Sequence, residues 1–231
     1  KHMKYGAARG TWAPMVSEGT ESVKPTYGEA MAFDALNEFA ETLNFATGSA
    51  YGDNQEKIFI SEFANGEGTV KAVYIPAKLY HAILGTQGDD EGGAYRIDDN
   101  QPLGAYGFYR TLMDSKKNKY FEVNFYPKVQ GSVEGSNSKS KEDGVTLEYD
   151  AIKFRIFACN KGEYKIDKRF TSEAEAIAYL DGLFAGTSTW ANDRKEPETP
   201  GQGGSSGEEN TGGGSEENGE ENKEQEPEVT A

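Results

Sequence analysis

The sequence predicts a mainly β fold: antiparallel strands packed as a sandwich or closed toward a barrel, with one short flanking helix and one C-terminal helix. Three observations point there. Several runs alternate apolar and polar residues at period two. Glycine- and asparagine-rich clusters separate them at hairpin spacing. Only two segments carry helical spacing, and each has boundary residues of its own.

Lys4–Trp12 (KYGAARGTW) is the first expected strand, weakened by its glycines. Ala13–Asn37 sustains no period and is punctuated by Pro14, Gly19, Pro25 and Gly28, so it reads as a long loop or arm. Glu38–Ala46 alternates cleanly, with Phe39, Glu41, Leu43 and Phe45 on one face and Ala40, Thr42, Asn44 and Ala46 on the other. Thr47–Asn54 reads as a turn region. Gln55–Ala64 is rich in Ile and Phe. It meets Asn65-Gly66-Glu67-Gly68, residues suited to positive φ, and Thr69–Ile75 is expected to return as the second strand of a hairpin. Pro76 suits the first helical position. Leu79, Ile83 and Leu84 follow at helical spacing, and Gly85 ends that helix.

Thr86–Leu103 holds Asp89, Asp90, Glu91, Asp98 and Asp99 and reads as an exposed acidic loop. Gly104–Asp114, Ser115–Asn118 and Lys119–Tyr126 form a second expected hairpin. Its return strand points Phe121, Val123 and Phe125 one way and Tyr120, Glu122, Asn124 and Tyr126 the other. Lys128–Gly144 is polar and reads as a second long loop. Val145–Ala158 is the longest strand candidate, with Ile152, Phe154 and Ile156 on one face. Asn160-Lys161-Gly162-Glu163 turns the chain and Tyr164–Phe170 returns. Ser172–Ala185 is the clearest helix. Ser172 and Glu175 match a capping box, Ile177, Leu180 and Phe184 form its stripe, and Gly186 stops it.

The chain has 231 residues and a net charge of −15. From Asp193 onward there are 12 acidic and 3 basic residues, no aromatic residue, and Val229 as the one large aliphatic. Such a segment has too little apolar surface to offset chain entropy. The expected organisation is residues 1–3 as a cloning remnant and start, 4–186 as one β domain, and 187–231 as a disordered acidic tail. Phosphate binding needs clustered Lys and Arg, which the acidic balance does not supply. No apolar run reaches the ~18 residues of a membrane helix, and no signal-peptide pattern opens the sequence. Cys159 is the single cysteine, so no internal disulfide forms.

Catalytic side chains are sparse. Of two histidines, His2 lies in the remnant and His81 within the short helix, and neither sits in a nucleophile motif. Gly203-Gly204-Ser205-Ser206-Gly207 matches G-x-S-x-G but lacks the flanking strand and helix that strain a nucleophile elbow. The acidic loop misses the EF-hand spacing. The sequence therefore predicts no enzyme, no cofactor and no metal.

Read in order, the pieces resemble the major tail protein of long-tailed phages, phi13-type family. The likeness covers about Lys4–Ala158. It lies in Tyr5-Gly6 before Trp12-Ala13-Pro14, in Ala50-Tyr51-Gly52-Asp53-Asn54, in Val73-Tyr74-Ile75-Pro76 leading to a helix closing at Leu84-Gly85, and in the strand pair, polar loop and strand that follow. The capped helix and the acidic tail fall outside it. The resemblance implies a tail-tube fold and hexameric rings stacked into a tube through which DNA leaves the capsid without specific binding. It also implies tape-measure, tail-terminator and distal tail proteins as partners, and a virion-tail location after synthesis in the bacterial cytoplasm. Within that reading, Ala13, Pro14, Tyr27, Lys128, Gln130, Ser132, Ser138, Lys139 and Lys141 are candidate assembly contacts. Glu122 and Asn124 are candidate lumen-facing residues. The alternatives are an extracellular β-sandwich module binding carbohydrate or a surface ligand, and a carboxylate-pair hydrolase.

Overall fold

The computed structural model describes residues 3–52, 55–132 and 149–190. The chain is mainly antiparallel β, as its alternating runs require. In order the elements are β1 (Met3–Ser17), β2 (Thr26–Tyr27), β3 (Met31–Ala32), β4 (Asp34–Gly52), β5 (Gln55–Tyr74), α1 (Ala77–Leu84), β6 (Gln87–Gly88), β7 (Gly93–Ala94), β8 (Leu103–Met113), β9 (Lys119–Ser132), β10 (Asp150–Ile156), β11 (Ile166–Phe170) and α2 (Glu173–Phe184). Apart from the small β6–β7 pair they form one sheet, ordered β2-β1-β8-β9-β10-β5-β4, with β3 added to β1 and β11 to β9.

That sheet curls back on itself. β3 pairs with β1 at Thr11 and Trp12, and the Phe33 N–H donates to Gly10 O at 2.8 Å. The next residue opens β4, the strand at the far end of the order. The enclosed space is filled by Trp12, Leu36, Val70, Tyr106, Phe108, Tyr126, Phe154 and Ile156, and Leu79, Ile83 and Leu84 of α1 join the same cluster. A second core lies on the other side of the β1–β8–β9 wall. There Ala13, Ala105, Tyr109, Val123 and Phe125 pack with Ala176, Leu180, Leu183 and Phe184 of α2. Neighbouring residues such as Phe125 and Tyr126 thus feed opposite cores, the period-two consequence of a strand buried on both faces.

Helix α2 is tied down at several points. Tyr109 Oη donates to Glu173. Burial and Glu173 together push the Tyr109 hydroxyl up to about 12. Arg9 grips Asp181 at 2.7 Å. Ser172 is the N-cap with extended φ and ψ, but its side chain makes no cap hydrogen bond, so the expected capping box does not form. Gly186, at φ 75°, does end the helix. The domain runs past the expected boundary at residue 186. Ser188 Oγ donates to Tyr179 O, Tyr179 Oη donates to Thr189 O, and Trp190 is buried in the second core.

Further expectations are corrected. Asn65–Gly68 is not a turn, because β5 runs through it without a break. Its glycines serve close packing: a Cβ at Gly68 would lie 2.6 Å from the Phe39 ring, and one at Gly66 would lie 2.8 Å from Leu43 Cδ2. Phe39 needs that room to sit 5.0–5.2 Å from Tyr106, Phe108 and Tyr126. Likewise Thr47–Gly52, expected as a turn, continues β4. Ala13–Asn37 is no free arm, since Ala13–Ser17 complete β1 and two short strands fold back onto it. Finally, Tyr164–Phe170 does not return along β10. β11 lies on β9 at Phe121–Phe125, while β10 takes Val129–Ser132 of the same strand. Pro76 stands one residue earlier than expected, as the N-cap of α1, and Gly85 closes that helix in the left-handed conformation.

Candidate assembly surface

Most candidate contact residues are engaged within the subunit. Ala13 is fully buried in the second core, so it cannot touch a neighbour, and that expectation is overturned. Pro14 pairs with Gly104 on β8, and its carbonyl accepts from Gly28 N–H at 2.8 Å. Tyr27 Oη donates to Pro127 O at 2.8 Å, and its ring meets Phe125 and Phe184 edge-on. Burial pushes its hydroxyl well above the ordinary tyrosine value. Lys128 pairs with Glu18 at 2.7 Å. Gln130 Nε2 donates to Gln101 O at 2.8 Å. Both residues belong to β9 and not to a loop. Ser132, at the end of β9, is exposed. Ser138, Lys139 and Lys141, and most of the expected Lys128–Gly144 loop, lie outside the described residues, as does the acidic tail.

Glu122 and Asn124 do not line a surface. Glu122 is 3 % exposed and Asn124 is fully buried. Their face of β9 points into the first core, where the sheet curls over it. Glu122 accepts from Arg110 Nε at 2.7 Å and from Arg169 Nε at 2.7 Å, one on each carboxylate oxygen. Burial pushes its carboxyl up, but hydrogen bonds and charge from Arg169 and Arg110 outweigh burial and hold it below the usual carboxylate range. Glu41 repeats the pattern nearby, with Tyr126 Oη donating at 2.6 Å and Lys165 paired to its other oxygen. These two partners likewise hold its carboxyl low against the opposing effect of burial.

One cluster of exposed apolar residues lies on the outer part of the β4–β5 hairpin. At its base Phe63 stacks on Tyr164 at 3.9 Å, and Phe45 packs edge-on against both rings. Beyond this clamp β10 pairs with β5 only from Gly66 onward, so among the described residues no strand flanks the ribbon Ala46–Gly52 with Gln55–Ser61. Register sorts its side chains onto two faces. Ile58 stands opposite Ala50 and Ile60 opposite Gly48. On the other face Phe59 stands opposite Ser49 and Ser61 opposite Thr47. Ile58, Ile60, Phe59 and Tyr51 are 55 %, 55 %, 62 % and 74 % exposed. One face therefore sets Ile58 and Ile60 beside glycine and alanine, and the other sets Phe59 among Ser49, Ser61 and Thr47. Covering each such side chain is worth roughly 1.5–3 kcal/mol. An isolated two-stranded ribbon is marginal in water.

Sequence reasoning missed this ribbon because it placed the hairpin turn at Asn65–Gly68. The signal was present in Gly52-Asp53-Asn54, equally good turn chemistry, followed by the unbroken apolar run Ile58-Phe59-Ile60. No protein-family model matches the chain, and no curated protein matches it. No helix among the described residues is long and apolar enough to cross a membrane.

Proposed function

We propose that the chain is a structural subunit that polymerises, and specifically a tail-tube protein of a long-tailed phage that builds a conduit for DNA. The observation that carries the reading is the ribbon that leaves Ile58, Ile60, Phe59 and Tyr51 exposed while projecting from a domain with two packed cores. A protein that functioned alone would gain nothing from that surface and would risk aggregation through it. A subunit that inserts it into neighbours covers both faces and both edges. The layout of the chain supports the finer assignment, with hexameric rings and the other tail proteins as partners. DNA would pass without specific contacts, consistent with the acidic balance of the sequence.

The test is sedimentation and negative-stain microscopy of concentrated protein beside a variant in which Ala46–Ser61 is replaced by a two-glycine turn. Rings or tubes are expected from the native chain, and a folded, non-assembling protein from the variant. A native chain that stays monomeric at every concentration and never enters virion tails overturns the proposal. If that monomer binds glycans through its exposed tyrosines, the binding-module reading replaces it.

A further inference from the structure

Building on the assembly reading above, we infer that copies also join end to end: the lysine-bearing β8–β9 turn of one subunit seats the acid-flanked Tyr95–Ile97 loop of the next. This contact is a second interface, distinct from the ribbon, and it gives the assembly a polarity.

The turn carries strain that its geometry does not need. Asp114 organises it: Oδ1 accepts from Lys116 N–H at 2.8 Å and from Asn118 N–H at 2.9 Å, and Oδ2 accepts from Asn118 Nδ2 at 2.9 Å. Lys117 lies in the left-handed region at φ 67°, where glycine sits freely and a long side chain does not. A turn that served only to reverse the chain would carry glycine there, so strain kept at this residue points to a use for its side chain. Lys116, Lys117 and Lys119 are all exposed, and among the described residues none takes a carboxylate partner. Register continues the surface from the turn across three strands. Met3 stands opposite Met113 and Met113 opposite Lys119, with Tyr5 opposite Thr111 two residues on. Directly opposed residues, and residues two apart on a strand, share a face. Met3, Tyr5, Met113 and Lys119 therefore form one shelf, apolar with a cationic edge, and Met3 and Tyr5 are exposed.

The occupant follows from charge. An apolar shelf edged by unpaired lysines matches an apolar knob edged by carboxylates, and the same chain carries one. Tyr95 is 62 % exposed and Ile97 fully so. Asp89, Asp90 and Glu91 precede them and Asp98 and Asp99 follow directly, against Arg96 and Lys78 as the neighbouring cations. The loop is held in place. Gly88 and Gly93 pack on the buried His81 ring, where a Cβ would lie 2.4 and 2.2 Å from it, and His81 Nδ1 is 2.6 Å from Thr86 Oγ1. Asp90 Oδ1 accepts from Lys78 N–H at 3.2 Å, and Asp99 Oδ2 accepts from Arg96 N–H at 2.7 Å. A loop already fixed loses little freedom on docking. Knob and shelf cannot meet within one subunit. Helix α1, which carries His81, lies over the Gly131 end of β9, where a Cβ on Gly131 would fall 2.4 Å from Ile83 Cγ2. The lysine turn lies at the other end of that strand. Twelve residues separate Lys119 from Gly131, about 40 Å at ~3.3 Å per residue. The contact is therefore heterologous. Each junction leaves one knob and one shelf free, and growth continues along the β9 direction.

The experiment uses two full-length variants, each checked by thermal melting against the native chain. One combines Lys116→Glu, Lys117→Glu and Lys119→Glu. The other combines Glu91→Lys and Asp98→Lys, whose carboxylates hold no bond among the described residues. Alone, each sets like charges against each other, so end-to-end growth followed by light scattering and negative-stain microscopy should fall roughly tenfold or more. Mixed in equal amounts they restore both kinds of junction in alternation, so growth should return. Native growth should also weaken between 0.15 M and 1 M salt, as the screening length shortens from about 8 to about 3 Å. Lys117→Gly should melt no lower than the native chain and still grow less. Undiminished growth of the lysine-reversed variant, or a mixture that fails where native protein grows, overturns the inference. Native protein that forms rings and never stacks them does the same and leaves the assembly reading standing. Native protein that never associates overturns both. Binding of a duplex oligonucleotide by the native chain and not by the lysine-reversed variant assigns the lysines to phosphate and also overturns the inference.

Discussion

Strands β8 and β9 and the outer β4–β5 ribbon are made of similar residues and meet opposite fates. Phe125, Tyr126, Tyr106 and Phe108 are buried within the subunit, some toward α2 and some toward the enclosed core. Ile58, Phe59, Ile60 and Tyr51 alternate in the same way and remain exposed on both faces. The difference lies in neighbours and not in propensity. The β9 strand has β8 on one side, β10 and β11 on the other, and a helix over its outer face. The ribbon has one partner strand. The comparison teaches that β-forming sequence specifies a surface to be covered, while topology decides whether the cover comes from the same chain.

Substitutions should separate the two regions sharply. The largest loss is expected at the edge of the second core. Trp190→Ala removes a buried ring flanked by Lys24 and Lys161, each 5.7 Å from its centroid. It should cost about 3–5 kcal/mol, read as a lower midpoint in urea. Truncation after Gly186 should act similarly, and truncation after Asn192 should change the midpoint little. Equal effects of the two truncations would mean that Trp190 is not the residue that closes the core.

Glu122→Gln comes next. It removes the charge that two arginines share, and breaking a buried pair costs about 3–5 kcal/mol. The half-exposed Arg169 side chain lowers the expectation to roughly 2–3 kcal/mol. The pH dependence has a definite sign. The folded carboxyl of Glu122 lies below the ordinary glutamate value, so the unfolded chain binds protons first. Its stabilisation is complete above that value and is lost as pH falls from there through the lower folded value. Glu41 titrates in the same direction. Urea midpoints measured from pH 6 to pH 2 should fall more steeply for the native chain than for Glu122→Gln. Parallel curves would remove Glu122 from the acid response.

Gly68→Ala probes the packing of Phe39 and should cost about 1–3 kcal/mol, since a ring must move to admit the methyl group. A neutral result would mean that Phe39 yields freely. The smallest stability change is expected on the ribbon. Phe59→Ser and Ile60→Ser should each shift the monomer midpoint by less than ~0.5 kcal/mol and still reduce assembly. A stability loss as large as that of Gly68→Ala would mean that the ribbon is packed in the free subunit.

Elements whose reading depended on local chemistry were legible. The β8–β9 hairpin, the α1 stop at Gly85, the Ile152–Phe154–Ile156 face and the α2 span all follow from neighbours within a few residues. What failed depended on distant partners. Gly66 and Gly68 offer the same positive-φ freedom whether they turn a chain or make room for a ring, and only Phe39, a strand away, decides. Glu122 and Asn124 alternate correctly against Phe121, Val123 and Phe125. Alternation, however, separates two faces without saying that one is wet, and here a curled sheet buries one while α2 covers the other. Ala13 is a related case: a segment without period reads as free, although short strands and single hydrogen bonds fasten Ala13–Asn37 to β1 and bury Ala13.

The continuity of β5 has a mechanical side. One strand of 20 residues carries the ribbon at one end and runs beneath β10 for seven paired residues, from Gly66 to Ala72, before reaching α1. Cross-strand hydrogen bonds lie perpendicular to the strands. A pull on the ribbon along β5 therefore loads that whole row together in shear, whereas a pull across it would open the bonds one after another like a zipper. The subunit resists tension along one direction and yields across it.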